Sequence, residues 1–145
     1  MKNMLDHFGY RWMVHRPAKE MFKKRAVIIT QCIGAGDKST AKDIRDSLSW
    51  WGISSIKEYR FKLMNGIFWD ELPEKKRTGM TKKLRKAAFE ILGTDFNNYH
   101  TSIKVKCRFL MVRMIQKSVG KQNPDSADYV YWKENDWIGK ARPWK

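Results

Sequence analysis

Residues 24–51, KRAVIITQCIGAGDKSTAKDIRDSLSWW, decide the fold of this chain of 145 residues. The run Ala26 to Thr30 is short, rich in β-branched residues and flanked by charge, which is typical of a buried strand. A turn with two glycines follows, Gln31 to Gly36, and a helical pattern comes next. Strand, glycine turn and helix form one βα unit of an open parallel sheet. Such sheets bind ligands beyond the carboxyl ends of their strands.

The helix of this unit is predicted from its ends and from one apolar face. Thr40 and Asp43 have the spacing of a capping box, and Gly52 can close the C-terminus. The apolar face carries Ala41, Ile44, Leu48 and Trp51. The glycine turn matches neither GxGxxG nor a P-loop. Taken alone, it is a weak functional signal, because most βα turns contain a glycine for geometry alone.

The remaining pattern predicts further helices and one more strand. In chain order these are a helix over 1–12, a strand over 54–61, a helix from Pro73 to Leu92, a helix from Thr101 to Val119 that Gly120 to Pro124 interrupts, and a short helix over 125–134. The helix between the two strands predicts a right-handed crossover. The aromatic tail, residues 135–145, is expected to pack on the domain or on a second subunit.

Charge and cysteine usage restrict the class of protein. The formal net charge of +15 suits nucleic acid, an anionic membrane surface or a phosphate-bearing ligand. The basic residues are spread along the chain, which argues against nucleic acid as the main partner.

Cys32 and Cys107 are far apart and form no CxxC, so neither a disulfide framework nor a zinc site is expected, and a reducing compartment fits. No signal peptide opens the chain, and Ile103 to Ile115 is too short and too charged to span a bilayer, so a cytoplasmic protein is expected.

The sequence offers no set of residues for catalysis by side chains. It contains no Ser-His-Asp order, no HExxH and no carboxylate pair with a forced geometry. Cys32 directly follows the first strand and is better interpreted as a small, half-buried residue of the turn than as a nucleophile. If the chain belongs to an enzyme, a cofactor carries the chemistry.

The order of several short segments resembles one family of flavoproteins. The segments are Lys2 to Phe8, Tyr10 to Trp12, His15 to Pro17 and Thr30 to Gly36. They look like the C-terminal part of flavodoxin-like NAD(P)H-dependent FMN reductases. The pattern Asp128 to Glu134, with Trp137 and Arg142-Pro143-Trp144, is similar to the tail of a bacterial subgroup of that family. The resemblance covers essentially the whole chain.

The resemblance implies a flavodoxin-like α/β fold, bound FMN, and two-electron transfer from NAD(P)H to a quinone, a flavin or a similar small acceptor. In that family the loop after the fourth strand approaches the flavin ring. This loop maps onto Thr30, Gln31, Cys32, Ile33, Gly34, Ala35 and Gly36. Glycine lets backbone approach a flat ring, and main-chain N–H groups can then bond to ring atoms. Thr30 and Gln31 would add side-chain hydrogen bonds, and no catalytic acid or base is required.

The chain also departs from that family. The phosphate-binding loop after the first strand and the aromatic loop after the third strand are not in this sequence. In the strand order 2-1-3-4-5, the chain would supply strands four and five. Residues 1–93 would then be the C-terminal part of a flavodoxin-like domain, and residues 94–145 a helical extension. A gene fragment, a mis-called start codon and a split protein are all compatible. We expect the isolated chain to bind FMN weakly or not at all, unless another chain supplies the missing half.

Three partner hypotheses follow from these observations. The family usually dimerises, so a homodimer, or a complex with a chain that supplies the N-terminal half, is expected. A small basic nucleic-acid-binding protein, using Lys75 to Lys86 and the aromatic tail, is the alternative from another class, and steep salt dependence would identify it. The third hypothesis is an inactive interaction module that keeps only the subunit-contacting helices and the tail.

Overall fold

The computed structural model describes residues 2–63, 68–93 and 100–145. The helices and strands in this part of the chain are α1 (Lys2–His7), β1 (Arg25–Cys32), α2 (Asp37–Trp50), β2 (Ser55–Lys62), α3 (Glu74–Leu92), α4 (Ile103–Gln122) and α5 (Ala127–Glu134). Short 3-10 helices lie at Gly9–Arg11, Lys19–Lys23 and Trp69–Glu71.

Strands β1 and β2 pair side by side, with α2 between them in the chain, and within the described residues they form a two-stranded parallel sheet. This confirms the mixed α/β class that the sequence predicts. Strand β1 is longer than its apolar run, because Gln31 and Cys32 continue the ladder before the turn. The predicted second strand is confirmed to within one residue at each end.

The predicted capping box of α2 is wrong. The helix begins at Asp37, so Thr40 already lies inside it. The N–H of Thr40 donates to the carbonyl of Gly36 at 3.1 Å, which is a regular helical hydrogen bond. The other end is as predicted: Gly52 has a φ of +105°, and its N–H donates to the carbonyl of Ser49 at 3.2 Å.

Two further helix boundaries differ from the prediction. The N-terminal helix ends at His7, and a 3-10 turn at Gly9–Arg11 replaces its predicted second half. Helix α4 does not break at Gly120 but continues to Gln122. The ring of Tyr129 packs where a side chain at position 120 would be, so this close contact between α4 and α5 compensates for the low helix propensity of glycine.

The contacts within the chain divide it into two compact units. The first unit contains the residues up to Ala26, Arg45–Ile56 and His100–Lys145. The second unit contains Val27–Ile44 and the described residues of 57–93. Both units are assembled from separate segments of the chain. The division into residues 1–93 and 94–145 stays a prediction of the sequence.

The core of the first unit is aromatic. Its buried members are Met13, Phe22, Val105, Phe109, Val112, Trp132 and Trp137. Phe109 lies at the centre: its ring stacks on Trp132 with 4.8 Å between centroids and meets Trp137 edge-on at 5.7 Å. Trp144 packs against the same cluster. The aromatic tail therefore packs on its own chain, which is one of the two outcomes that the sequence left open.

Helix α4 is apolar on two sides. Phe109 and Val112 face the core, whereas a second set of large apolar side chains is exposed: Ile103, Leu110, Met111, Met114 and Ile115. We call this set the outer α4 stripe. The sequence pattern predicts one broad apolar face for this helix, formed by Ile103, Phe109, Leu110, Val112 and Met114. That grouping is wrong, because Phe109 and Val112 are buried and the other three are exposed. None of the described helices combines the length and apolar character needed to cross a membrane.

The core of the second unit is smaller. It consists of Ile28 in β1, Ala41 in α2, Phe61 in β2, Leu72 and Ala87 in α3. The sequence pattern predicts an apolar face of α3 formed by Met80, Leu84, Ala87, Ala88 and Ile91. Of these, Ala87 is buried, Met80 and Leu84 are half-buried, and Ala88 and Ile91 are exposed. In β1, Ile29 is 57% exposed. The sheet of this unit thus shows apolar surface to solvent within the part of the chain that the structure describes.

Candidate functional site

The turn between β1 and α2 spans residues 33–36 and has an unusual backbone. Gly34 has a φ of +86° and Gly36 a φ of +103°. Side chains strain a backbone in this left-handed region, so glycine is favoured at both positions. A Cβ atom built on either glycine would meet nothing within 4 Å. The turn is therefore open on its outer side, and the glycines are needed for conformation and not to avoid a neighbour among the residues that the structure describes.

Hydrogen bonds to both sides fix the shape of this turn. The carbonyl of Gly36 accepts from Ser39 Oγ at 3.0 Å and from the N–H of Thr40 at 3.1 Å. The N–H of Ala35 donates to the carbonyl of Ile33 at 3.2 Å. The carbonyl of Cys32 accepts from the N–H of Leu63 at 2.9 Å, which ties the end of β1 to the end of β2. The turn is thus preformed at the carboxyl edge of the sheet.

The seven predicted site residues differ in exposure. Ile33, Gly34, Ala35 and Gly36 are exposed, Gln31 is exposed, and Cys32 is half-buried with a free thiol. Thr30 is only 6% exposed, and its Oγ1 has no hydrogen-bond partner among the described residues. Neighbouring residues of a strand point to opposite faces, so Thr30 and Gln31 do not share a face. A planar ligand over the turn would meet the 33–36 backbone first.

A cationic groove lies next to this turn and was missed by the sequence analysis. It encloses about 750 Å³ and is lined by Asp37, Lys38, Glu58, Tyr59, Arg60, Phe61, Lys62 and Lys83. Asp37 and Lys38 directly follow Gly36 in the chain. The cations come one or two at a time from α2, β2 and α3, so no local cluster in the sequence marks them. The only available signal was that Arg60 and Lys62 stand at the carboxyl end of a predicted strand.

The turn and the groove can be tested against the cofactor that the resemblance implies. The open glycine backbone is compatible with a flat ring laid against Gly34 and Gly36, because a Cβ atom at either position meets nothing within 4 Å among the described residues. The groove fits phosphate groups, since Lys38, Arg60, Lys62 and Lys83 line it. Among the described residues, no three His, Cys, Asp or Glu side chains lie close enough to hold a metal ion.

Comparison with known proteins identifies no relative. No protein family model matches the chain, and neither a curated protein nor a solved structure matches it. The assignment of function therefore depends on the resemblance of the sequence segments and on the local geometry of the turn and the groove.

Proposed function

We propose that this chain is the C-terminal portion of a cytoplasmic, flavodoxin-like NAD(P)H-dependent FMN oxidoreductase, with β1 and β2 as its fourth and fifth strands. The observation that carries the proposal is the preformed, open turn at residues 33–36. Its two glycines adopt left-handed conformations that glycine tolerates without strain, and a Cβ atom built on either would meet nothing within 4 Å among the described residues. The turn geometry alone accounts for the glycines, and the open backbone that they leave can receive a ligand that must lie close to it.

In this proposal, FMN supplies the hydride chemistry when it is bound, and the protein positions it. The backbone of Ile33 to Gly36 forms one wall for the ring. Main-chain groups that the hydrogen bonds within the turn do not use would provide partners for the ring, and substitution of side chains would leave these groups in place. The hydroxyl of Thr30, two residues before the strand ends, is buried and has no hydrogen-bond partner among the described residues. No side chain in this turn has to donate or accept a proton.

The sheet also supports a larger domain. Among the described residues, β1 pairs with β2 alone, so one edge of β1 carries no strand. The 57% exposure of Ile29 puts a large apolar side chain on the surface of a parallel strand. Parallel sheets are normally covered on both faces. Three further strands, from the same gene or from another chain, would pair with this edge and bring the phosphate-binding loop of FMN.

The electron donor is proposed to enter over the cationic groove. Lys38, Arg60, Lys62 and Lys83 line this groove beside the turn, and a nicotinamide cofactor carries at least two phosphates. The acceptor is a small molecule that takes the donor's place above the ring. The working assembly is a homodimer, or a complex with the chain that supplies strands one to three.

Two titrations of the purified chain test this proposal. In the first, flavin fluorescence follows FMN binding, and we expect no saturable quenching at micromolar FMN because the phosphate loop lies outside this chain. In the second, ¹H–¹⁵N NMR spectra are recorded with millimolar riboflavin and with FMN. We expect shifts confined to the amides of residues 33–37, of similar size for both ligands. Saturable quenching at micromolar FMN would refute the proposal that this chain holds only the C-terminal part of the flavin-binding domain.

A matched pair of variants tests whether the NMR shifts arise from ligand bound at the turn. Gly36→Val places a branched side chain on the open side of the turn, and we expect it to abolish the NMR shifts. Gly9→Val changes an equally open glycine in the first unit and should leave them unchanged. Shifts that are absent at the turn in the unmodified chain, or that survive in Gly36→Val, would show that the turn is not a flavin site.

A further inference from the structure

Helix α3 presents a basic face of which the proposed flavin chemistry uses only Lys83. Between Lys75 and Lys86 the sequence contains no Asp or Glu, and its cations are Lys75, Lys76, Arg77, Lys82, Lys83, Arg85 and Lys86. The structure distributes these cations over two flanks of the helix. Lys75, Lys76 and Lys83 line a small groove with Arg60 and Lys62 of β2. Arg77, Lys82, Arg85 and Lys86 line a separate, larger groove.

The larger groove combines these cations with two aromatic side chains. It encloses about 940 Å³, runs along α3, and includes Trp69 and Phe89 in its lining. Trp69 is 48% exposed and Phe89 is 73% exposed. Arg77 and Phe89 are separated by twelve helical residues, or about 18 Å along the axis. We call this surface the α3 groove.

The carboxylates of the α3 groove lie at its ends, and its cations lie between them. Glu74 lines one end and Glu90 the other. Glu90 forms a salt bridge with Lys57, and this hydrogen bond, followed by the charges of Lys57 and Lys86, holds the pKa of Glu90 below its ordinary value. At the opposite end Arg77 approaches Asp70 at 3.9 Å. The middle of the groove, with Lys82, Arg85 and Lys86, is therefore positively charged.

We propose that the α3 groove binds single-stranded nucleic acid. The row of cations extends over several helical turns instead of converging on one point, which suits a polyanion better than a single phosphate. Two exposed aromatic rings in the same groove offer faces on which bases stack. Stacking of this kind needs unpaired bases, so a single strand fits and a duplex does not. This activity is separate from flavin binding and does not depend on it.

The net charge of the chain requires a matched control, because a protein with a charge of +15 attracts any nucleic acid. Helix α4 provides one. Lys82 and Lys86 are exposed and four residues apart on α3, and Lys117 and Lys121 are exposed and four residues apart on α4. The double variants Lys82→Ala/Lys86→Ala and Lys117→Ala/Lys121→Ala remove the same charge from the same kind of position.

The experiment measures fluorescence anisotropy of labelled oligo-dT and oligo-rU of equal length, and of a duplex, across a series of salt concentrations. We expect Lys82→Ala/Lys86→Ala to reduce the slope of log affinity against log salt by about 1.4, since each phosphate contact on a single strand contributes about 0.7. The α4 control should change the slope by much less. Equal slopes for the two double variants would overturn the proposal, as would tighter binding of the duplex than of oligo-dT and oligo-rU.

A second pair tests stacking. Phe89→Ala should weaken binding of oligo-dT by roughly 5- to 100-fold, the range found when a stacking aromatic is removed. Met114→Ala removes an apolar side chain of the same exposure, 73%, from α4 and should leave binding unchanged. Circular dichroism confirms that both variants are folded. Equal affinities of the two variants would show that the groove binds nucleic acid through charge alone. This result would refute the proposed stacking of bases on its aromatic rings.

Discussion

Arg113 donates its Nε hydrogen to the main-chain carbonyl of Trp137 at 2.6 Å. A second donor, Nη2, reaches the carbonyl of Ala141 at 3.0 Å. Arg113 is only 8% exposed, and burial lowers the pKa of its guanidinium. One side chain of α4 thus holds two points of the C-terminal tail against the aromatic core of the first unit.

Replacing Arg113 should loosen the tail. We expect Arg113→Met to lower the free energy of unfolding by about 2–4 kcal/mol, because it removes two charge-assisted hydrogen bonds and leaves buried carbonyls unpaired. Urea unfolding followed by tryptophan fluorescence measures this loss. Lys117→Met, which removes an exposed cation one turn further along α4, should cost less than about 0.5 kcal/mol. Similar losses for both variants would contradict the anchoring role of Arg113.

Two helical glycines should respond oppositely to the same substitution. A Cβ at Gly120 would overlap the ring of Tyr129, whereas a Cβ at Gly79 meets nothing within 4 Å. Gly120→Ala should therefore destabilise the protein by about 1–3 kcal/mol through overpacking. Gly79→Ala should stabilise α3 by about 0.5–1 kcal/mol, because alanine favours the helix. Thermal unfolding followed by circular dichroism at the helix band checks both. Changes of the same sign would refute the packing of α4 on α5 described above.

Tyr131 should make stability decline at alkaline pH. Its hydroxyl donates to the carbonyl of Pro17 at 2.8 Å, and burial raises its pKa above the ordinary value of 10.0. Below pH 10 the hydroxyl is protonated in both states, and its contribution is complete. As the pH rises above 10, the unfolded chain releases the proton before the folded one does, so the free energy of unfolding falls.

The variant Tyr131→Phe separates the contribution of the hydrogen bond from that of the titrating hydroxyl. At neutral pH we expect it to lose about 0.5–1.5 kcal/mol with the hydrogen bond, and above pH 10 its stability should decline less steeply than that of the parent chain. Urea unfolding at a series of pH values measures both. Tyr10→Phe, at a ring that is 39% exposed, serves as control for the loss of a hydroxyl. If the free energy of unfolding declined equally steeply above pH 10 in Tyr131→Phe and in the parent chain, Tyr131 would not be the cause of the decline.

The methionines should oxidise in order of their exposure. Met114 is 73% exposed and Met111 is 50% exposed, both in the outer α4 stripe, whereas Met13 is fully buried in the aromatic core. Brief treatment with peroxide, followed by mass spectrometry of peptides, should show sulfoxide first at Met114, then at Met111, and last at Met13. Protection of Met114 from peroxide would instead show that a partner covers this stripe.

The βα unit could be predicted from the sequence because its signals are local. The β-branched run gives β1, and Gly52 adopts the backbone conformation that ends α2. Three helix ends differ from the prediction, and only the one at α4 has a tertiary cause. Gly120 is accommodated in α4 because Tyr129 packs on it. Asp37, not Thr40, opens α2, because Gly36 already accepts the first helical hydrogen bond.

The two faces of α4 could not be assigned from the sequence because the helix is apolar on opposite sides, and periodicity alone does not say which side meets the core. The burial of Arg113 was equally hidden, since arginine is almost always exposed. For the candidate site, the glycine turn was found by its position after a strand. The cationic groove beside it was not, because its lysines and arginine come from three elements that only folding brings together.

The placement of tryptophan gives this molecule a built-in optical reporter. Trp12, Trp50, Trp51, Trp132, Trp137 and Trp144 all belong to the first unit, and Trp69 alone belongs to the second. Trp132 is fully buried and stacked on Phe109, an asymmetric setting that produces a strong near-ultraviolet circular dichroism band. Emission and near-ultraviolet bands therefore record the melting of the first unit, whereas the far-ultraviolet signal sums over both. A gap between the two melting curves would measure directly how independently the two units unfold.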